Sequence, residues 1–237
     1  MHGGRHGGWC WKWVAHNLRN RGHAVFAPTL TGLGERSHLL SPEITLETHA
    51  QDITSVIQWE DLEDVVLVGH SYGGMVISAV AQNAPDRIQH LVFLDAMLPR
   101  TGEALVDLIG VEATYAMANL VLQRGDGWFL PVNRSASDYG IDDPALAAWV
   151  DARLTPQPYS TYTDVLGSAD IAWNIGATYI RCERSNSIRP EIYERARDRA
   201  RHDSHFSFLD LNAGHDAMIT HPDLVAEHLD SVANVPG

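Results

Sequence analysis

Short apolar runs alternate with longer amphipathic stretches through the first half of the chain. Runs rich in branched apolar residues, each ending at Pro, Gly or Asp, lie at His23–Pro28, Val65–Gly69 and Ile88–Asp95. Buried strands of a parallel sheet show this pattern because both of their faces are covered. Helical spacing fills the stretches at Trp9–Asn20, Leu46–Trp59 and Gly74–Asn83. The alternation predicts an α/β fold with βαβ units and a mostly parallel, doubly wound sheet.

The regular alternation stops at Pro99 and is absent up to about residue 174. This stretch is rich in aromatic residues and prolines, and its amphipathic pieces are short, as at Gly102–Ile109 and Pro144–Leu154. We interpret it as a helical cap inserted in the second half of the chain. Alternation resumes with predicted strands and helices at Thr178–Cys182, Arg189–His202, Phe206–Leu211 and Pro222–Val235. The predicted organisation is a core of residues 1–98 and 175–237 with a cap at 99–174.

Composition narrows the range of partners. The 237 residues carry 17 basic and 30 acidic side chains, a formal charge of −13. A chain this acidic lacks the basic surface that nucleic acids and anionic membranes attract, so neither is an expected partner. Two cysteines are too few for a disulfide framework, and neither a secretory signal nor a run of roughly 18 apolar residues occurs. We therefore expect a cytoplasmic enzyme.

The string LVGHSYGGMV carries the strongest chemical signal. It contains a G-x-S-x-G pentapeptide, in which Ser71 lies between Gly69 and Gly73, with a predicted strand before it and a helix after it. This context is that of a nucleophile elbow, a turn too tight for side chains at the two glycines. The turn presents the Ser71 hydroxyl at a helix N-terminus, whose dipole favours a developing anion. Ser71 is therefore the predicted nucleophile.

A serine hydroxyl needs a general base and a site for the oxyanion. His215 follows the last predicted strand, and the carboxyl ends of parallel strands share one crevice, so this loop can reach Ser71. Near the N-terminus, His2-Gly3-Gly4 matches the HG motif that precedes the first helix. The backbone N–H groups of Gly4 and Tyr72 are the predicted oxyanion donors. No metal-ligand spacing such as HExxH occurs, so no metal is predicted.

Almost the whole chain resembles the α/β-hydrolase superfamily. The similarity is greatest to the plant methyl esterase and hydroxynitrile lyase branch and its bacterial esterase relatives. It rests on HGGRHGGWCW, PTLTGLGERSHLL, LVGHSYGGMV, LVFLDAMLP, LTPQPYSTYTDVL and NAGHDAM in this order. The resemblance implies hydrolysis of a small-molecule ester through an acyl-serine intermediate, without a cofactor. It leaves a monomer and a homodimer both open.

The acid that would orient His215 departs from the pattern of this branch. The plant enzymes carry it a few residues after the strand that resembles TYIRC, where this chain has Ser185. Glu183 is the carboxylate nearest to that position. Asp95, at the end of LVFLD, is the alternative, because some α/β-hydrolases such as certain haloalkane dehalogenases carry their acid after this strand. We favour Asp95 and keep Glu183 as the second choice, ahead of Asp210 and Asp216.

Two further departures bear on function and on the start of the chain. Hydroxynitrile lyases of this branch have a lysine directly after the histidine, where this chain has Asp216, so cyanohydrin cleavage is not expected. Relatives also have about eight apolar residues before the HG motif, forming a central strand beside the segments His23–Pro28 and Val65–Gly69. We therefore expect either that the natural start lies upstream of Met1 or that this gap is filled in another way.

Taken together, the motifs and the resemblance predict a serine hydrolase that acts on a small or medium carboxylic ester. The aromatic residues of the cap favour an apolar or aromatic substituent on that ester. Two alternatives stay open: a slow-turnover ligand receptor on a hydrolase scaffold, and a biosynthetic hydrolase or cyclase for one natural product.

Overall fold

A computed structural model describes residues 1–167 and 175–234 of the chain. Its main sheet has four parallel strands, β1 Val65–His70, β2 Ile88–Leu94, β5 Gly176–Cys182 and β6 Phe206–Leu211. They lie side by side in the order β1-β2-β5-β6. Parallel strands need crossover connections, and helices supply them here. The predicted α/β class is confirmed.

Helices cover both faces of the sheet. The core helices are α1 Lys12–Asn20, α2 Leu46–Trp59, α3 Gly73–Asn83, α8 Pro190–His202, α9 Ala217–Thr220 and α10 Pro222–Ala233, and short 3-10 turns lie at Gly8–Trp11, Gly34–Leu39 and Pro85–Arg87. Neighbouring strand residues point to opposite faces, so Phe93 and Tyr179 belong to one apolar cluster and Val92 and Ile180 to another. The predicted end of α10 at Val235 lies outside the described residues.

Between β2 and β5 the chain forms short helices and one small antiparallel pair. The elements are α4 Leu105–Leu108, α5 Val111–Arg124, β3 Phe129–Leu130, a 3-10 turn at Ala136–Tyr139, α6 Pro144–Asp151, β4 Gln157–Pro158 and α7 Ser160–Thr163. Periodicity located α4 and α6 within the two predicted amphipathic pieces. The predicted cap end at residue 174 lies in residues 168–174, outside the described residues.

The predicted strand at His23–Pro28 is wrong, because these residues form no strand. Extended backbone becomes a strand only where a neighbour pairs with its N–H and C=O groups. A cavity of about 380 Å³ instead separates this segment from the free edge of β1. At that edge the amino group of Met1 donates to Val68 O, and His70 N–H donates to Met1 O at 3.0 Å.

One helix start packs against backbone and can be tested by stability. An added Cβ at Gly74 would lie 2.0 Å from the backbone oxygen of Met97. A backbone contact cannot relax as a flexible side chain can, so we expect Gly74→Ala to lower the free energy of unfolding by about 1–3 kcal/mol. Urea unfolding followed by circular dichroism measures this change.

The control for Gly74→Ala is Gly102→Ala. Nothing lies within 4 Å of an added Cβ at Gly102, where φ is +81°. The control therefore carries only the cost of a left-handed backbone, about 1–2 kcal/mol per residue. Unchanged stability of Gly74→Ala would contradict the close approach of α3 to the segment after β2.

None of the helices in residues 1–167 and 175–234 combines the length and the apolar character that crossing a bilayer requires.

Candidate active site

Ser71 lies in the turn that joins β1 to α3. Its φ is +53°, a left-handed value that is uncommon for a residue with a side chain. Two N–H groups, of Gly74 at 3.1 Å and Met97 at 2.9 Å, donate to Ser71 O and hold the turn. A Cβ at Gly69 would lie 2.6 Å from Gly73 O, so the end of β1 and the start of α3 approach too closely for a side chain there. Backbone strain of this kind concentrates at functional sites.

The glycine at position 73 has a second neighbour that the sequence did not reveal. A Cβ on Gly73 would lie 3.0 Å from the backbone oxygens of both Met1 and His2. The first residues of the chain therefore pack directly on the N-terminus of α3. This contact brings the HG motif and the G-x-S-x-G turn together, although 69 positions separate Met1 from His70 in their numbering.

His215 and Asp95 meet in the buried interior at the carboxyl ends of the strands. His215 Nδ1 donates to Asp95 Oδ2 at 2.6 Å, and their side chains are only 3% and 0% exposed. Asp95 follows β2 directly, and its own φ is +43°. Its N–H donates to Ile180 O at 2.8 Å, so the neighbouring strand fixes the turn that presents the carboxylate.

Several hydrogen-bond donors surround the Asp95 carboxylate. Besides His215, Tyr193 OH at 2.7 Å and Cys182 N–H at 3.1 Å donate to its other oxygen, Oδ1. Burial alone would raise the pKa of Asp95. The hydrogen bond and charge of His215, with further hydrogen bonds from Ser185 and Tyr193, hold that pKa below its ordinary value. Asp95 is therefore an ionised carboxylate aligned on the imidazole.

The other candidate carboxylates lie elsewhere. Glu183 is exposed, and its backbone N–H pairs with Leu211 O at 2.9 Å. Asp210 is exposed beside Arg181 and Arg197, each with a nitrogen 3.6 Å from Asp210 Oδ1. Within the described part of the chain, neither of these carboxylates bonds to the His215 ring, whereas Asp95 does.

The two predicted oxyanion donors have different supports. Tyr72 is buried, its hydroxyl bonds to His49 Nδ1 at 2.9 Å, and its ring stacks on Tyr162. Gly4 lies so close to Tyr162 that an added Cβ would be 2.4 Å from the tyrosine oxygen. In residues 1–167 and 175–234, neither the Gly4 N–H nor the Tyr72 N–H has a protein acceptor.

Two histidines beside glycines bond to backbone groups. His2 donates from Nδ1 to Gly3 O at 2.8 Å, and its Nε2 accepts the Leu30 N–H at 3.1 Å. His70 donates from Nε2 to the backbone oxygen of His215 at 3.0 Å. Burial lowers the pKa of His70 to about 3, so this imidazole is neutral. These bonds connect the HG loop (residues 2–7) and the His215 loop (residues 212–216, between β6 and α9) to the core.

Sequence reasoning missed Gln157 and His6, and it missed the contact that Asp216 makes. Gln157 of β4 accepts the Arg5 N–H through Oε1 at 2.8 Å, which connects the cap to the HG loop. His6 and Asp216 form a buried pair, with Nε2 3.1 Å from Oδ2 and side chains 2% and 0% exposed. A histidine in a glycine-rich loop and an aspartate beside His215 were the available signals. Their separation of 210 positions concealed the contact.

Three buried side chains lie close enough together to be considered as metal ligands. His70, His215 and Asp216 each offer one ligand atom, and these atoms lie within 4.8 Å of one another. Most of their capacity is already used, because His215 Nδ1 bonds to Asp95 and His70 Nε2 bonds to a carbonyl. Buried His70 Nδ1 and Asp216 Oδ1 have no partner among the described residues. His215 and His70 therefore each use one ring nitrogen for a bond within the protein.

A polar cavity opens beside His215. Its volume is about 350 Å³, and it lies between the cap turn that ends at Gly140 and the loop after β5. The ring of Tyr139 lies 5.8 Å from that of His215, and Tyr139 O accepts the Asp216 N–H at 3.1 Å. The cap therefore contacts the His215 loop through both side chain and backbone. The lining residues are Arg134, Ser137, Asp138, Tyr139, Gly140, Arg184, Ser185, Asn186 and His215.

The chain is similar to a protein-family model and to known proteins. Residues 1–228 match the model of the alpha/beta hydrolase family. A carbendazim hydrolyzing esterase of Nocardioides sp. (strain SG-4G) is 40% identical over 170 residues, 68% of this chain and 69% of that protein. Methylesterase 10 of Arabidopsis thaliana is 27% identical over 254 residues, 98% of this chain and 90% of that protein.

A solved structure gives the same fold. An extracellular alpha/beta-hydrolase from a Paenibacillus species, described as sharing structural and functional homology with tobacco Salicylic Acid Binding Protein 2, superposes with a TM-score of 0.80 at 24% identity. The superposition covers 98% of this chain and 96% of that one. Taken with the esterase relatives, these matches support an enzyme of the carboxylic ester hydrolase class. The chain belongs to the alpha/beta hydrolase family.

Proposed function

We propose that this protein hydrolyses a small or medium carboxylic ester through an acyl-serine intermediate. Ser71 attacks the ester carbonyl, and His215 takes the hydroxyl proton and returns it to the leaving alcohol. Asp95 holds the imidazole and stabilises its charged form. The N–H groups of Gly4 and Tyr72 bind the oxyanion of the tetrahedral intermediate. Water then attacks the acyl-serine with His215 again as base, which releases the acid and restores Ser71.

The bond between His215 and Asp95 is the single observation that carries this proposal. At 2.6 Å, with Asp95 Oδ1 held by two further donors, it fixes one ring nitrogen as the donor. The other nitrogen, Nε2, then has a free lone pair and can accept a proton. A serine-activating base requires a buried carboxylate that accepts from its imidazole and is held in place by other donors of the protein.

The oxyanion donors support the same reaction. The Gly4 N–H lies in the HG loop and the Tyr72 N–H at the start of α3, and the first residues of the chain pack against that helix start. Donors that are fixed before the reaction need no reorganisation when negative charge develops on the substrate.

The relatives guide the choice of substrate. Both the Arabidopsis relative and the Nocardioides relative are named for ester cleavage, the second for carbendazim. We propose that esters with a small alcohol, above all methyl esters, and an apolar or aromatic acyl part are the preferred class. The Tyr139 ring against His215 supports an aromatic group near the scissile bond.

The test is a panel of methyl, ethyl, p-nitrophenyl and benzoate esters, with carbendazim included. We expect steady-state hydrolysis of at least one methyl or aryl ester, with a burst of alcohol release when the acyl-serine accumulates. A fluorophosphonate should label one site per chain, and mass spectrometry should locate it at Ser71. Stoichiometric labelling without turnover of any ester would instead identify a slow-turnover receptor, and an absence of both would refute the proposal.

A further inference from the structure

His6 has an acceptor at each ring nitrogen. Nδ1 lies 2.8 Å from the backbone oxygen of Gly4, and Nε2 lies 3.1 Å from Asp216 Oδ2. The backbone oxygen can only accept, so Nδ1 must carry a proton. The Nε2 contact needs a second proton between the imidazole and the carboxylate. The pair therefore holds two protons, and a neutral imidazole beside an ionised carboxylate would leave one contact unmade.

The surroundings decide where these protons reside. Burial disfavours the charged form of His6, but the charge of Asp216 and its hydrogen bond outweigh it and raise the pKa of His6. Burial likewise would raise the pKa of Asp216, but the charge and hydrogen bond of His6 keep it below its ordinary value. Both directions correspond to an imidazolium and a carboxylate, which is a buried ion pair.

This pair joins the two loops on which the proposed reaction depends. Asp216 directly follows His215, and His6 lies two residues after Gly4. The Gly3 carbonyl, which shares a peptide with the Gly4 N–H, accepts from His2 Nδ1 at 2.8 Å and from His6 N–H at 3.4 Å. His6 therefore holds the peptides on both sides of Gly4, one through its side chain and one through its backbone.

We infer that His6 and Asp216 form a buried ionic clamp that fixes the HG loop relative to the His215 loop. His6 and Asp216 are therefore positioning residues of the reaction. The inference rests on the proposed function, because it assigns the clamp a task in that reaction. The clamp acts on the transition state rather than on substrate binding, since the Gly4 N–H meets full negative charge only in the tetrahedral intermediate. Neither residue touches the substrate.

Other titratable and charged groups face the clamp. Arg5 of the HG loop carries a positive charge that lowers the pKa of His6. His70, at the end of β1, has its Nε2 3.7 Å from Asp216 Oδ1. His215 lies at the neighbouring position, and Tyr139 approaches His6 edge-on from the cap at 5.3 Å. His2 faces His6, and Cys10 and Cys182 face Asp216.

The kinetic test uses Asp216→Asn and His6→Gln. Asparagine keeps the shape of the carboxylate but removes the charge that retains the imidazolium. We expect kcat to fall about 10- to 100-fold in both variants, with KM changed less than about threefold, because only positioning is lost. The matched control is Asp230→Asn, which breaks the partly buried His23–Asp230 pair at 2.7 Å, remote from the proposed site, and should leave both constants unchanged.

The pH profile separates positioning from a merely structural role. A raised His6 pKa means that the imidazolium is present below that pKa and is lost as the pH rises through it. The wild-type kcat should therefore have an alkaline limb in addition to the acid limb of the base, and Asp216→Asn should lose the alkaline limb. Equal kcat and identical profiles in wild type and Asp216→Asn would overturn the inference.

A measurement that needs no turnover keeps the inference testable if a variant folds poorly or no ester is cleaved. Nitrogen NMR of protein labelled at its 13 histidines should show one ring that stays doubly protonated above the ordinary histidine pKa of about 6.5, and His6→Gln should remove that signal. A His6 ring that loses its second proton at or below that ordinary pKa would overturn the clamp whatever the activity. Failure of the ester panel alone would refute the proposed function and leave the ion pair itself standing.

Discussion

Replacing Ser71 by Ala should abolish ester hydrolysis, with kcat lowered by about 10⁶-fold. The hydroxyl is the only group that the proposed reaction joins covalently to the substrate, so the remaining rate would come from the oxyanion donors and from binding. Substrate affinity should persist, because the turn and its neighbours keep their backbone. Steady-state assays with the best ester of the panel, together with loss of fluorophosphonate labelling, provide the measurement.

The control for Ser71→Ala is Ser78→Ala. Ser78 is also buried and lies in α3, but its hydroxyl donates to Gly74 O at 2.7 Å and has no place in the reaction. We expect this variant to keep its labelling and most of its kcat, with a stability loss of about 1 kcal/mol for the hydrogen bond. Hydrolysis by Ser71→Ala at more than a few per cent of the wild-type rate would refute the acyl-serine.

The second large effect is expected for Asp95→Asn, with kcat lowered by about 10⁴-fold. The carboxylate accepts the His215 Nδ1 proton and so leaves Nε2 free to receive the serine proton. An amide can present its NH₂ group to Nδ1, which favours the opposite tautomer and places the proton on Nε2. The defect should lie in kcat rather than in KM, because substrate binding does not depend on the tautomer.

Glu183→Gln is the matched control for Asp95→Asn, because it makes the same chemical change at the alternative carboxylate. Glu183 is exposed, and Asp95 is the carboxylate that bonds to His215. We therefore expect Glu183→Gln to retain nearly full kcat. Near-normal turnover of Asp95→Asn together with a large loss in Glu183→Gln would reverse the assignment of the acid.

Asp95 should also contribute to stability in a defined pH range. Its folded-state pKa lies below the ordinary value, so its contribution is present above the ordinary pKa of about 3.9 and is lost as the pH falls through the folded pKa. The His6–Asp216 clamp adds to this range from the other side, since its imidazolium is lost at high pH. Stability should therefore be greatest between these limits.

Periodicity and turn chemistry were sufficient for most of the elements. Leu46–Trp59 and Phe206–Leu211 end where the apolar pattern ends, because local spacing and burial coincide there. His23–Pro28 has the composition of a strand but is not one, since a strand exists only when another strand pairs with it. The sequence shows which residues prefer extended backbone, but pairing is a property of the assembled sheet.

The chemistry divides in the same way. The sequence by itself determined the family, the elbow around Ser71 and His215 in the last loop, because each is encoded in a short string with its own turn requirements. Only the tertiary structure decided which carboxylate meets His215 and that His6 meets Asp216. Those contacts join residues 120 and 210 positions apart, and no local pattern specifies which buried polar groups the packing of the strand ends brings together.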